Sequence, residues 1–370
     1  MYFRLPLYLL LPILLLACTE EKEPRPTVER RFWRGADLSY VNEMLDCGGE
    51  YRDTAGTLTD PYALFAQAGC DLMRVRLWHR PDWTDYSDLT DVTLAMARAQ
   101  AQGMAVLLDF HYSDEWADPQ RQHVPAAWRA VVNDTAALGD SVYQYTYRVL
   151  RYLHGRGLFP AFVQIGNETN IEVLQDPDWE EDRALDWPRN AALLQRGLQA
   201  ARDAARDLEQ DLQVMLHIAQ PENALWWFEQ ATEQGLTDYH WIGLSYYPKW
   251  SAYGLEELPQ AIQTLRQRHS KRVMVVETAY PFSLKNLDPA NNLLGEDALL
   301  PGYPATPAGQ LSYLQALEQQ LRRGGAEGLI YWEPAWISTR CSTRWGQGSH
   351  WDNATFFDAE GRPTPGLGYY

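Results

Sequence analysis

The chain has 370 residues, 32 basic against 49 acidic, and a formal net charge of −17. With no basic cluster, that balance excludes nucleic acid and bare anionic membrane surfaces as partners, because both would repel it. Aromatics are abundant, with 15 Trp and 21 Tyr. Some belong to a core, but so many beside polar loops also suit stacking on the C–H face of a sugar ring.

The chain opens on Met1-Tyr2-Phe3-Arg4, then an apolar run from Leu5 to Leu16. That run is too short for a stable bilayer span and has the form of a signal peptide. It ends in Leu15-Leu16-Ala17-Cys18, which resembles the bacterial lipobox. The resemblance implies cleavage before Cys18 and a lipid on its thiol; an ordinary signal peptide with a chance cysteine is the alternative. Residues 1–17 are therefore expected to be removed. Residues 18–30, charged and Pro-containing, read as a flexible tether. The protein is expected to be exported and lipid-anchored to the bacterial membrane, at the outer membrane or cell surface, with no other membrane contact. Residues 31–370 suit one large barrel domain and are too few for two independent ones.

From there strand-like and helix-like stretches alternate. The strands are expected at Phe32–Ala36, Leu72–Leu77, Ala105–Leu108, Ala161–Ile165, Gln213–His217, Trp241–Leu244, Arg272–Val276 and Gly328–Tyr331. Between them, Asp60-Pro61 opens a helix with an N-cap and a first-turn proline. Periodic stretches follow near Asp88–Gln102, Asp140–Leu153, Arg189–Leu208, Ala224–Glu233, Leu258–Arg268 and Pro307–Arg323. Only a short tail follows the eighth strand, so the last helix is expected to be abbreviated or absent. Eight βα units predict parallel strands closed into a (β/α)₈ barrel. In such a barrel Cys47 and Cys341 follow neighbouring strands, one and eight, at the same rim, whereas Cys70 precedes strand two at the other end. A Cys47–Cys341 disulfide with Cys70 as a buried thiol is expected.

Function in this architecture sits at strand C-termini. There the chain gathers Asp37, Arg76, His111, Asn167-Glu168, His217, Tyr246, Glu277 and Trp332. The opposite ends carry plain glycines: Gly69, Gly103, Gly157 and Gly325. One strand-end glutamate is usually ion-paired or caps a loop. Two, on strands four and seven of an eight-stranded ring, can converge across its mouth, as double-displacement glycoside hydrolysis requires. The acid must be protonated and the nucleophile ionised, and Arg76 is expected to hold the nucleophile so. Asn167 is expected to bond the sugar 2-hydroxyl, Tyr246 to orient the nucleophile, and Trp332 to provide a floor for a sugar ring.

Several motifs occur together in this order: Arg34-Gly35-Ala36-Asp37-Leu38-Ser39, Val41-Asn42-Glu43, Arg74-Val75-Arg76-Leu77-Trp78, Asp109-Phe110-His111-Tyr112-Ser113-Asp114, Gly166-Asn167-Glu168, Val276-Glu277-Thr278 and Tyr331-Trp332-Glu333-Pro334-Ala335-Trp336. With them the chain resembles glycoside hydrolase family 53, the arabinogalactan endo-β-1,4-galactanases. The resemblance implies Glu168 as acid/base, Glu277 as nucleophile, and endo-cleavage of β-1,4-galactan in type I arabinogalactan; the chemistry is expected to need no cofactor, and the protein to be a monomer. It also raises a structural calcium between the loops after strands seven and eight, where Asp288, Asn292, Ser349 and Asp352 offer hard oxygens. Ala290 departs from members that ligate there. Rival readings are another retaining glycanase of the same superfamily and a non-catalytic glycan-binding lipoprotein.

Overall fold

The computed structural model describes residues 1–3, 31–179, 183–344 and 346–370. The chain divides into two units, Met1–Arg31 and Phe32–Tyr370. The expected signal peptide, Cys18 and tether fall in the first unit, almost wholly outside the described residues.

The second unit is a closed barrel of eight parallel strands: β1 (Trp33–Asp37), β2 (Leu72–Leu77), β3 (Ala105–Phe110), β4 (Phe162–Ile165), β5 (Gln213–Ala219), β6 (Trp241–Ser245), β7 (Arg272–Glu277) and β8 (Gly328–Tyr331). Closure is direct, with Arg34 opposite Leu329 and Gly35 opposite Ile330. The strands are short, nearly unbroken apolar runs because both faces are covered. A short helix α1 (Val41–Asp46) lies in the loop after β1. The outer layer is α2 (Pro61–Ala68), α3 (Leu89–Ala101), α4 (Thr135–His154), α5 (Trp187–Asp207), α6 (Pro221–Glu233), α7 (Leu258–His269) and α8 (Pro307–Gly324). Side chains of Asp60, Asp88, Asp134, Asp186 and Thr306 cap helix N-termini by accepting backbone N–H bonds. The Asp134 cap starts α4 five residues before the periodicity of the sequence becomes visible. After β8 come a small antiparallel pair of strands, β9 (Ser342–Thr343) and β10 (Gly346–Gln347), and a 3₁₀ turn, Pro365–Tyr369, with no further α-helix among the described residues; Tyr369 donates its hydroxyl proton to Glu318 of α8.

The floor of the barrel is apolar. Leu72, Leu107, Phe162, Met215, Trp241, Met274, Val276 and Ile330 fill it. Each contributes roughly 1.5–3 kcal/mol by burial. Gly243 makes room for this plug, since a Cβ there would lie 2.7 Å from Met215 Sδ. The floor forces every inward-facing polar group up towards the C-terminal rim. On the outer layer, Trp227 is buried against Trp187 and Phe228, while its neighbour Trp226 is half exposed.

Cys47 and Cys341 are joined, with a Cα–Cα separation of 5.4 Å, and Cys70 is a buried free thiol. Burial pushes the Cys70 thiol up to about 12, so it carries no thiolate at neutral pH.

Candidate active site

Two local irregularities deliver the glutamates. The β6–β7 register jumps from Leu244 opposite Val275 to Ser245 opposite Glu277, a bulge at Val276. Val276 fills the barrel floor. Strict alternation would therefore turn Glu277 outward, and the bulge resets the phase so that it faces the mouth. On β4 the chain turns at Gly166 (φ 81°), where a Cβ would lie 2.5 Å from the Thr169 side chain. Glu168 itself adopts φ 45°. That left-handed backbone costs a non-glycine residue about 1 kcal/mol or more, and it aims the side chain across the ring.

Glu168 and Glu277 are 9% and 6% exposed. A carboxylate oxygen of each and a ring nitrogen of His217 all lie within 4.8 Å of one another. That spacing fits a retaining pair, about 5–5.5 Å apart, and not an inverting one at about 6.5–9.5 Å. These three side chains also have the spacing of a metal site, but each is committed to protein partners.

The two carboxyls differ in their surroundings. Glu277 Oε1 lies 2.9 Å from Arg74 Nη2, and its Oε2 accepts from the Tyr247 hydroxyl at 3.1 Å. Burial pushes Glu277 up to about 7, and Arg74 opposes the rise. Glu168 accepts from Ser245 Oγ at 2.5 Å. Burial first, then the charge of Glu277, raises its carboxyl well above the usual range. Five buried carboxyls, of Asp37, Asp109, Glu168, Glu277 and Glu333, face only two guanidiniums, of Arg74 and Arg76. Among the described residues Glu168 is the one of the five with no guanidinium at ion-pair distance, which favours its protonated form.

Arg74, not Arg76, holds Glu277. It bonds Asp37 at 2.7 Å, Asp109 at 2.8 Å and Asn167 Oδ1 at 2.7 Å as well as Glu277. Arg76 also points inward, one inward position nearer the rim, where it pairs with Glu333 at 2.5 Å and lies against the rings of Tyr40 and Trp116. The expectation for Tyr246 also fails. Its side chain points away from the mouth, and its hydroxyl donates to Tyr253 O. Ser245 and Tyr247, the residues on either side, face inward, and Tyr247 orients Glu277. Alternation along β6 was the signal that distinguishes them.

Asp37 is fully buried, with Oδ1 accepting from Ser39 and Oδ2 from Arg74, so it supports Arg74 rather than touching a sugar. His111 is likewise a support, with Nε2 3.1 Å from Asp109 and Nδ1 accepting from Ala117 N–H. Asn167 spends its carbonyl on Arg74 and one amide proton on Ala117 O, which leaves one amide proton for a ligand. Trp332 is half-buried at the mouth, edge-on to Trp351 at 4.7 Å and 5.9 Å from Trp116.

The four candidate calcium ligands form a second polar cluster. Asp288 accepts from the backbone N–H of Ala290 and Ser349. Asp352 accepts from Asn292 Nδ2, Ser338 Oγ and Leu287 N–H. Ser349 donates its hydroxyl proton to Trp336 O. Asn292 Oδ1 is a buried acceptor with no partner among the described residues. Burial, and to a smaller extent the Asp288 charge, raises the Asp352 carboxyl. A bound cation would satisfy the first and relieve the second, so the donor set fits a hard cation.

The chain matches the model of glycosyl hydrolase family 53 over residues 33–370. It is 56% identical over 328 residues to an arabinogalactan endo-beta-1,4-galactanase of Cellvibrio japonicus, covering 89% of this chain and 87% of that one. A catalytic domain of the same family from Ignisphaera aggregans superposes with a TM-score of 0.83 at 30% identity, over 94% of this chain and 97% of that one. Two fungal beta-1,4-galactanases define a further fold neighbour, with a TM-score of 0.77 at 29% identity, over 91% of this chain and 98% of that one. A match that spans the whole barrel, over a rim that presents a close buried pair of carboxyls, places this chain in glycosyl hydrolase family 53.

Proposed function

We propose that the protein is a retaining endo-β-1,4-galactanase acting on the galactan of type I arabinogalactan. The observation that carries the mechanism is the unequal environment of two carboxyls at retaining distance. Glu277, held by Arg74 and Tyr247, attacks the anomeric carbon. Glu168, protonated, gives its proton to the departing glycosidic oxygen. The covalent galactosyl ester on Glu277 is then attacked by water, whose proton passes to Glu168, and the product keeps its β configuration. Trp332 gives the sugar a ring face at the mouth.

The test is reducing-sugar release from β-1,4-galactan, mannan and cellulose in parallel. Release from galactan alone, with an early fall in viscosity, is expected. Equal release from mannan or cellulose would favour another glycanase, and tight galactan binding without release would favour a binding protein.

The protein is further read as a lipoprotein at the bacterial surface, on the strength of Ala17-Cys18 after the apolar run. Cys18→Ala is expected to move it from the membrane fraction to the soluble one without changing kcat of the domain. A wild-type protein found soluble and cleaved elsewhere would overturn this.

A calcium ion held by Asp288, Asn292, Ser349 and Asp352 would pin the loops after β7 and β8 together and supply no chemistry. Calcium is expected to raise Tm by at least about 2 °C over the chelator-treated protein. Asp352→Ala should cancel that increment, and an increment unchanged in the mutant would place the ion elsewhere.

A further inference from the structure

The mechanism leaves one buried histidine unused. His217, on β5, is fully buried among the catalytic groups. Its Nε2 lies 2.9 Å from Ser245 Oγ, which in turn lies 2.5 Å from Glu168 Oε1. Its Nδ1 faces two N–H donors, the Glu168 backbone at 3.3 Å and Gln164 Nε2 at 3.0 Å. Asn167 Oδ1 is also 3.0 Å from Nδ1, but that oxygen already accepts from Arg74 at 2.7 Å. Two donors on Nδ1 make it the acceptor nitrogen and leave the ring proton on Nε2.

We propose that His217 and Ser245 are positioning residues that fix which oxygen of Glu168 carries the transferable proton. The proposal rests on Glu168 being the acid/base. The Nε2–H of His217 donates to Ser245 Oγ, so the serine must direct its own proton to Glu168 Oε1. Oε1 is then an acceptor in both protonation states. The proton to be transferred sits on Oε2, the oxygen left free for the leaving group. The imidazole itself never needs to ionise. Burial, followed by the charges of Arg74 and His111, holds it well below its ordinary range. A permanently neutral histidine is thus a fixed dipole rather than a second base.

The arrangement has a consequence for pH. Glu168 faces Glu277 from β7, Asp118 from the loop after β3, Arg74 from β2, Ser245 from β6 and Tyr247 from the loop that follows it. Of these, Ser245 donates a hydrogen bond that favours the ionised carboxylate, so it limits how far the acid is raised. Without it the acid holds its proton to higher pH, and the alkaline limb of the rate profile, which reports the acid, moves up.

The experiment uses the whole protein with Ser245→Ala and Ser245→Thr. For Ser245→Ala, a kcat on galactan about tenfold lower, KM within about twofold, and an alkaline limb shifted upward by about one pH unit are expected. Ser245→Thr, which keeps the hydroxyl, should return the limb to its wild-type place. ¹⁵N spectra of histidine-labelled wild type need no mutant to fold, and should show His217 neutral with its proton on Nε2 throughout the active pH range. A lower kcat with an unmoved limb, or a proton on Nδ1, would overturn the proposal. The Glu168→Ala variant separates this from failure of the underlying reading. If azide does not accelerate that variant on an activated aryl galactoside, the acid/base assignment has failed. If azide does, and the Ser245→Ala limb stays put, only the positioning role falls.

Discussion

Glu277→Ala is expected to lose at least about 10⁴-fold in kcat on every substrate, polymer or activated aryl galactoside alike. The loss does not depend on the leaving group because the missing group forms the bond to carbon. Nothing nearby replaces it. Arg74 and Tyr247 are donors, and Asp37 and Asp109 are buried beneath Arg74 with their oxygens committed. Removing the carboxyl also leaves Arg74 with one fewer counter-charge, but Asp37 and Asp109 still neutralise it, so the barrel should stay folded. A circular dichroism melt within a few degrees of wild type checks that. Added azide can fill the vacated space and attack the anomeric carbon in one displacement, which gives a galactosyl azide of inverted, α configuration. Substantial unrescued turnover in the mutant would mean that Glu277 is not the nucleophile.

Glu168→Ala should separate its two substrates. On galactan the leaving alkoxide needs a proton, and a loss of about 10²–10⁴-fold in kcat is expected. On an activated aryl galactoside, if accepted, the leaving group departs unaided and the first step should keep much of its rate. The ester on Glu277 then accumulates, because water lacks its general base. Azide needs no base and fits where the side chain was, so it should accelerate the second step and give a β-galactosyl azide with retained configuration. An α product from this mutant instead would mean that the two roles are exchanged.

The fold was legible because a barrel strand buried on both faces is an apolar run whatever its register, and the eight runs needed no knowledge of contacts. The glutamates were legible because a charge at the end of such a run is rare. Their supports were harder to read. Arg74 and Arg76 point to the same side of β2, and sequence cannot say that Arg76 lies in the layer of the Tyr40 and Trp116 rings while Arg74 lies beside Glu277. Tyr246 and Tyr247 differ by one residue, and a one-residue difference reverses the facing of a strand side chain. The bulge at Val276 has no signature within β7 itself, since Val275-Val276 reads as ordinary strand. His217 was visible as a strand-end residue, but its partner Ser245 had no charge or ring to single it out.

The Cys47–Cys341 bond spans a sequence separation of 294 residues. It turns most of the barrel, including both glutamates, into a covalent ring. In the chain-entropy account, closing a loop of that length restricts the unfolded chain by roughly 6 kcal/mol. There is a second consequence, for proteolysis. A single cut in any loop between the two cysteines opens the ring but frees no fragment, since both halves of the barrel remain tied through the sulfurs. The first nick, which would release half of an unbridged barrel, leaves here two chains that are still one covalent molecule. Only a reductant, or a second cut, lets them part.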